Sequence, residues 1–178
     1  ACSTTKNLPE GEMLYAGIDK LEVLNEDETD AGVLALEEVE AALAYAPNNA
    51  ILGSSSMRWP LPIGLWIYNG FEKYQDKKGV GRWIFDHLGT QPVLMSSVNG
   101  ETRAKVATNL LRDYGYFNGT VSYEEVPQKD PKKAKVSYVI DMAQPYFLDS
   151  IAYLRYPSVA DSLIQATRGQ SVLKSGEN

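Results

Sequence analysis

The stretch LRDYGYFNGTVSYEEV, from Leu111 to Val126, combines a helix end, a tight hinge and a strand. Gly115 follows a run with helical spacing, so we expect it in the left-handed conformation that ends many helices. Tyr116 and Phe117 complete the hinge, and we expect Phe117 to be buried between a sheet and the helices. The stretch therefore predicts a helix that turns directly into an extended strand.

Two strands follow the hinge and form a hairpin. Residues from Phe117 to Val126 alternate between apolar and polar, which is typical of a strand with one buried face. A second alternating strand, from Lys135 to Met142, follows the turn PQKDPKK, which is too short for anything but an antiparallel connection. The side chains predicted to face the core are Phe117, Gly119, Val121 and Tyr123, then Val136, Tyr138, Ile140 and Met142.

Two helices and one further strand are predicted upstream. Glu12 to Leu24 partly alternates, with a slip around Asp19 and Lys20, and is predicted to be a strand. Asp30 is the predicted cap of the first helix, which ends before Pro47, and Asn99 is the predicted cap of the second. The apolar faces are predicted as Leu34, Leu36, Val39, Leu43 and Ala46 in the first helix, and Val106, Ala107, Leu110, Leu111 and Tyr114 in the second.

These elements define an α+β fold in the order strand, helix, helix, strand, strand, with a long insert at about 47–100 between the helices. Within the insert, the run from Gly79 to Gly89 is predicted to form a short helix. If the first strand runs up, the last strand can lie centrally, parallel to the first and antiparallel to its hairpin partner. The prediction is a three-stranded mixed sheet with helices on one face.

Composition argues against several functions. The chain of 178 residues carries 17 basic and 23 acidic residues, and its only basic cluster lies in the predicted hairpin turn, so we expect no nucleic-acid partner. His87 is the single histidine and there is no Gly-x-Ser-x-Gly turn, so no nucleophile and base pair can be proposed. The acidic run NEDETD lacks the glycine and the distal glutamate of a calcium loop. We therefore expect no enzyme activity, no metal and no cofactor.

The single cysteine, Cys2, precedes a polar segment, STTKNLPEGE, that is typical of a flexible tether. A cysteine after a small residue and before such a tether resembles the cleavage site of a bacterial lipoprotein signal. We expect Cys2 to be lipidated, with a stable anchor requiring two or more acyl chains. A stray exposed thiol at a frayed terminus is the alternative.

The hinge and hairpin resemble a POTRA domain, the periplasmic repeat of the BamA/TamA family of outer-membrane assembly proteins. One half of the resemblance is Gly115-Tyr116-Phe117 with Val121 four residues after the Phe. The other half is VSYVIDMAQPYFLDSIAYL, in which a V-x-Y-x-V-type strand leads into the first strand of a next repeat. The lipoprotein-like start and the aromatic insert further resemble the lipid-anchored, TamA-like branch. The chain departs from the family in its long insert and in Ala143-Gln144-Pro145, where a glycine is common.

The resemblance implies a domain organisation and a location. Residues 1–11 would form the tether, 12–144 a first POTRA-like domain, and 145–178 the start of an incomplete second repeat, with a strand at Tyr146–Ile151 and a helix at Ser158–Arg168. The expected location is the periplasmic face of the cell outer membrane. The family adds a C-terminal membrane barrel, which this sequence lacks.

The resemblance also implies a function: protein assembly or translocation, with unfolded outer-membrane proteins or assembly partners bound as extended strands. The predicted site is the edge of the strand from Phe117 to Val126, which has no lysine, and no proline before Pro127. Its outward polar side chains are Asn118, Thr120, Ser122 and Glu124. The alternative is an envelope lipoprotein that binds a ligand or protein through the aromatic insert, whose rings (Trp59, Trp66, Tyr68, Phe71 and Tyr74) are otherwise local core.

Overall fold

A computed structural model describes residues 4–50, 61–76, 79–154, 157–172 and 174. Its strands are β1 (Leu14–Leu24), β2 (Thr120–Pro127) and β3 (Lys133–Asp141). Its helices are α1 (Asp30–Leu43), α2 (Ile63–Phe71), α3 (Val80–Leu88), α4 (Met95–Val98), α5 (Gly100–Asp113) and α6 (Ser158–Thr167), with short 3-10 helices at Glu72–Tyr74 and Arg168–Gln170. The predicted α+β class with a three-stranded mixed sheet is confirmed.

The sheet has the order β1-β3-β2, so β3 is the central strand. It pairs parallel with β1 and antiparallel with β2. Its four predicted inward residues, Val136, Tyr138, Ile140 and Met142, are all buried. They form the floor of one core, which α1 and α5 cover together from the same side of the sheet.

β1 is less regular than its partner. A single slip was predicted around Asp19 and Lys20, whereas the pairing with β3 shifts twice, between Tyr15 and Ile18 and between Ile18 and Leu21. Each shift changes which side chains face the core, because side chains alternate along a strand. As a result Tyr15 and Ile18, which are three positions apart, lie opposite the buried Ala134 and Val136 of β3, and Tyr15 joins the main core cluster.

α1 differs from its prediction at its start and on its outer face. Its cap is Thr29, whose hydroxyl accepts a hydrogen bond from Gly32 N at 3.1 Å, and Asp30 is the first helical residue. Leu34 is exposed and Ala35 is buried instead. The predicted face was therefore rotated toward Leu34, and its last member, Ala46, lies beyond the helix end.

α5 begins as predicted, at an Asn99 cap whose Oδ1 accepts from Thr102 N at 3.2 Å. Its buried residues are Ala104, Ala107 and Leu111. Val106 is exposed, contrary to the prediction. The helix packs its small residues inward, which lets it lie close to α1 and to the sheet.

The hinge after α5 is a Schellman motif. Gly115 has φ +87°, as predicted, and its N–H donates to Arg112 O at 3.0 Å. The N–H of Tyr116 donates to Leu111 O at 2.9 Å, and both side chains are fully buried, which is the apolar contact that usually accompanies this motif. Tyr116 is therefore the core residue of the hinge.

The predicted burial of Phe117 is wrong, because 58% of its surface is exposed. Gly119 N donates to Tyr116 O at 2.9 Å and closes a turn between the hinge and β2. Because of that turn, β2 begins at Thr120 and not at Phe117, and the alternation counted back from Val121 does not extend to Phe117.

The remaining segments flank this core. Within the predicted tether, Thr5 is buried and Asn7 hydrogen-bonds to Glu72 of the insert. The predicted short helix of the insert is confirmed as α3. No strand forms in the described residues 145–154, although one was predicted at Tyr146–Ile151; a strand needs a partner for its backbone groups.

Candidate partner-binding edge

The two edges of the sheet differ in how far they are covered. At the start of β1, Tyr15 N donates to Val93 O at 2.8 Å, and Met95 N donates to Met13 O at 2.9 Å. A piece of the insert therefore occupies part of that edge. β2 lies at the opposite edge of the sheet, and it follows that β2 is the better place for an incoming strand.

The register identifies which backbone groups of β2 point away from β3. Just beyond β2, Gln128 N donates to Lys133 O. In an antiparallel pair every second residue is hydrogen-bonded to the partner strand, so the pattern can be counted back from Gln128 to Thr120. Even-numbered residues thus bond to β3. The odd-numbered residues Val121, Tyr123 and Glu125 direct their backbone groups outward, so a proline at Thr120 or Ser122 would break the sheet itself.

The predicted edge residues divide between two places. Thr120, Ser122 and Glu124 lie on the sheet face away from the helices, opposite Asp141, Val139 and Ser137. All three are exposed. Asn118 precedes β2, and its Nδ2 donates to the hydroxyl of Tyr146 at 2.9 Å. Asn118 belongs to the hinge, and the other three place polar side chains beside the edge.

A groove of about 630 Å³ separates the β2 edge from the outer face of α5. It is lined by Glu101, Ala104, Lys105, Thr108, Asn109 and Arg112 of α5, and by Val121, Ser122 and Tyr123 of β2. The α5 residues follow a spacing of three or four, so they form one continuous wall. At one end Gly100 lies so close to the Tyr123 ring that a Cβ there would come within 2.8 Å of it.

The charges along the groove are mixed. Lys105 pairs with Glu101 at 2.6 Å, and this hydrogen bond lowers the pKa of Glu101 and raises that of Lys105. Arg112 forms no ion pair with any described residue. Both ions of the pair are exposed, so their attraction is screened by water and contributes little to stability. The groove therefore offers its occupant a cation at the hinge end.

One α5 side chain reaches the edge itself. The hydroxyl of Thr108 accepts a hydrogen bond from Val121 N at 2.9 Å and donates to Ala104 O at 2.9 Å. The outward amide of Val121 is therefore already bonded. Sequence analysis missed this contact, because a threonine inside a helix gives no signal of what it faces.

The hinge end of the groove is fixed by Tyr116. Its hydroxyl donates to Asp27 Oδ2 at 2.7 Å, which joins the hinge to the loop before α1. Burial, together with this hydrogen bond, raises the pKa of Tyr116 to about 12. The same bond, with a second from Thr29 N, lowers the pKa of Asp27.

Beyond Arg112 lies a second, smaller cavity of about 230 Å³. Phe117 and Tyr146 meet there edge to face, with ring centroids 5.6 Å apart, and Tyr146 N donates to Gly115 O at 2.9 Å. Phe117, predicted as a core residue, therefore contributes to an exposed aromatic surface beside the groove.

The described residues offer little for other chemistry. They contain no cluster of three or more His, Cys, Asp or Glu side chains that could hold a metal ion. None of their helices combines the length and the apolar character that a bilayer crossing requires. His87 is exposed and stacks on Trp83. Cys2 and Trp59, both named in the sequence predictions, lie outside the described residues.

The chain matches no protein-family model, no curated protein and no solved structure.

Proposed function

We propose that this chain is a POTRA-like interaction module that binds extended polypeptide segments by strand addition at the edge of β2. The observation that carries the proposal is the pairing pattern, in which Tyr123 and Glu125 direct their backbone N–H and C=O groups away from β3. A strand laid along these groups would bond through its backbone with little dependence on sequence. The groove beside α5 would receive every second side chain.

Such a module suits a non-enzymatic factor that handles many unfolded partners. The proposed setting is the periplasmic face of the outer membrane, with an anchor on Cys2 and outer-membrane barrel proteins or their assembly partners as clients. The sequence resemblance to the BamA/TamA family supports this setting. The exposed edge and groove support the binding mode, because an uncovered edge is otherwise a liability that proteins suppress.

A second candidate is binding through the insert. Its helix α3 exposes Val80 and Trp83, while Tyr68 and Phe85 pack against each other with centroids 5.0 Å apart. The insert is thus in part a small core of its own and in part an apolar surface. A partner held there would be lost in Trp83→Ala and kept in β2 variants.

The test removes the N–H group of one outward-facing backbone amide. Glu125→Pro removes the N–H that an incoming strand would use and leaves the ladder to β3 intact, because that amide does not bond to β3. Glu125→Ala is the matched control, since it loses the same side chain and keeps the amide. Binding of a fluorescent peptide copied from one strand of an outer-membrane barrel is measured by anisotropy, and folding by circular dichroism.

We expect Glu125→Pro to bind roughly tenfold more weakly or worse, because about one hydrogen bond and the close approach of the strand are lost. Glu125→Ala should bind nearly as well as the parent. A folded Glu125→Pro variant with unchanged affinity would exclude the β2 edge as the docking site. If Trp83→Ala alone abolishes binding, the insert is the site instead.

A further inference from the structure

The β2 edge is blocked at both ends. At its start, the outward amide of Val121 is bonded to the hydroxyl of Thr108 at 2.9 Å. At its end, Pro127 occupies the next outward position after Glu125 and has no N–H to donate. Tyr123 and Glu125 are the two outward residues between these blocks, and each offers both a donor and an acceptor.

Thr108 is held firmly in this blocking position. Its hydroxyl donates to Ala104 O, so its proton is directed back into α5 and its oxygen is left to accept from Val121 N. The side chain is half-buried between α5 and β2. A competing strand would have to break the bond to Val121 and leave the threonine oxygen without its donor, which costs free energy.

We infer that Thr108 is a specificity-determining residue that sets the register of strand addition, a role that rests on the proposed function. An incoming segment bonds to Tyr123 and Glu125, and its backbone is excluded from the amide of Val121. The site therefore takes a short extended segment that supplies two hydrogen-bonded residues separated by one other. Proline at either of those two positions of the segment prevents binding, because it removes the donor.

The same geometry orients the side chains of the segment. Residues directly opposite Tyr123 and Glu125 share their face of the sheet, which is the face toward α5. The residue opposite Tyr123 enters the groove that Ala104 and Lys105 line, whereas Glu125 lies outside that lining. The segment residue between those two positions lies on the open face near Glu124. The partner is thus an alternating segment with a small or apolar side chain opposite Tyr123, since Ala104 and Val121 supply apolar lining to the groove there.

The experiment compares Thr108→Ala with Thr108→Ser. Alanine removes the hydroxyl together with the methyl group, so it leaves the Val121 amide unbonded and clears the space in front of it, whereas serine retains the hydroxyl. Capped peptides of alternating Thr and Val are lengthened by one Thr-Val pair at a time, and their affinities are measured by titration. Amide hydrogen exchange of Val121 is measured on each unliganded variant.

In the parent and in Thr108→Ser, we expect affinity to stop rising once the peptide covers Tyr123 and Glu125. In Thr108→Ala, one further pair should add about fivefold, the effect of about one additional hydrogen bond. Exchange at Val121 should be slow in the parent and in Thr108→Ser, and fast in Thr108→Ala.

The same length dependence in Thr108→Ala and Thr108→Ser would overturn the assignment of Thr108 and leave strand addition standing. So would fast exchange of Val121 in the parent. If none of the peptides binds any of the three proteins, the proposed function fails and the register assignment fails with it. That result is distinguished from the first by the absence of binding in the parent.

Discussion

Replacing Tyr116 by alanine should cost far more stability than the same change at Phe117. Tyr116 is fully buried beside Leu111, and its hydroxyl donates to Asp27 at 2.7 Å. Removing a buried aromatic ring costs about 3–5 kcal/mol. The lost hydrogen bond adds about 1 kcal/mol, which is less than is usual for a charged acceptor, because Asp27 is only half-buried. Phe117 is 58% exposed, so Phe117→Ala should cost less than about 1 kcal/mol.

Urea unfolding followed by circular dichroism measures the difference. The midpoint for Tyr116→Ala should fall strongly, or the variant should be unfolded in buffer, while Phe117→Ala stays near the parent. Tyr116→Phe keeps the ring and isolates the hydrogen bond, at about 1 kcal/mol. Equal losses for Tyr116→Ala and Phe117→Ala would show that the hinge is packed the other way round.

The hydrogen bond also predicts how stability depends on pH. The bond lowers the pKa of Asp27 below 3.8, so its contribution is present above that value and is lost as the pH falls through the folded-state pKa. The pKa of Tyr116 is raised from 10.0 to about 12, so its contribution is complete below pH 10 and is lost between pH 10 and 12. The stability gap between the parent and Tyr116→Phe should therefore be widest at intermediate pH. A gap that stays constant from pH 2 to neutral pH would contradict the bond.

Three further predictions concern other positions. Ala143 has φ +57°, a conformation that costs an alanine about 1–2 kcal/mol, so Ala143→Gly should raise the free energy of unfolding by about 0.5–1 kcal/mol after the entropy cost of glycine; a lower urea midpoint would contradict this. Arg103 donates to Val98 O at 2.8 Å and to Ala42 O at 2.9 Å with its fork of N–H groups, so Arg103→Lys should cost about 2 kcal/mol, whereas an unchanged midpoint would show that this cap is dispensable. Expressed with a native signal in a Gram-negative host, the chain should incorporate a fatty-acid probe and sediment with the outer membrane, and labelling that persists in Cys2→Ala would exclude lipidation at that cysteine.

Strong local patterns predicted much of the fold. The alternation of Val136, Tyr138, Ile140 and Met142 identified the buried face of β3. Helices cover only one face of the sheet, so the apolar side chains of its central strand must all lie on that face. Gly115 was identified as a left-handed residue for a local reason as well, since a glycine after a helical run ends the helix cheaply.

The errors have a shared physical cause. Apolar residues such as Leu34 and Val106 fit a helical stripe, yet they are exposed, and the smaller Ala35 and Ala104, which were not predicted, are buried in the close contacts. Phe117 was predicted as the first inward residue of β2, but the turn closed by Gly119 separates it from that strand. Periodicity gives the type of an element well, and gives its rotation or its first residue poorly.

The site was only partly predictable. The sequence located the exposed strand and its polar side chains, since both follow from topology. It did not show that the Val121 amide donates to the hydroxyl of Thr108 or that Arg103 donates to a carbonyl at the end of α1, because each hydrogen bond joins residues from different elements. Which amides point outward also required the register with β3, which a sequence does not specify.

Hydrogen exchange of the β2 amides with and without a bound extended peptide tests strand addition most directly. The amides of Tyr123 and Glu125 should exchange fast in the unliganded protein and become protected when a peptide copied from an outer-membrane barrel strand binds. The amides of Ser122 and Glu124, already bonded to β3, should change little. Peptide binding that leaves Tyr123 and Glu125 unprotected would contradict strand addition at this edge.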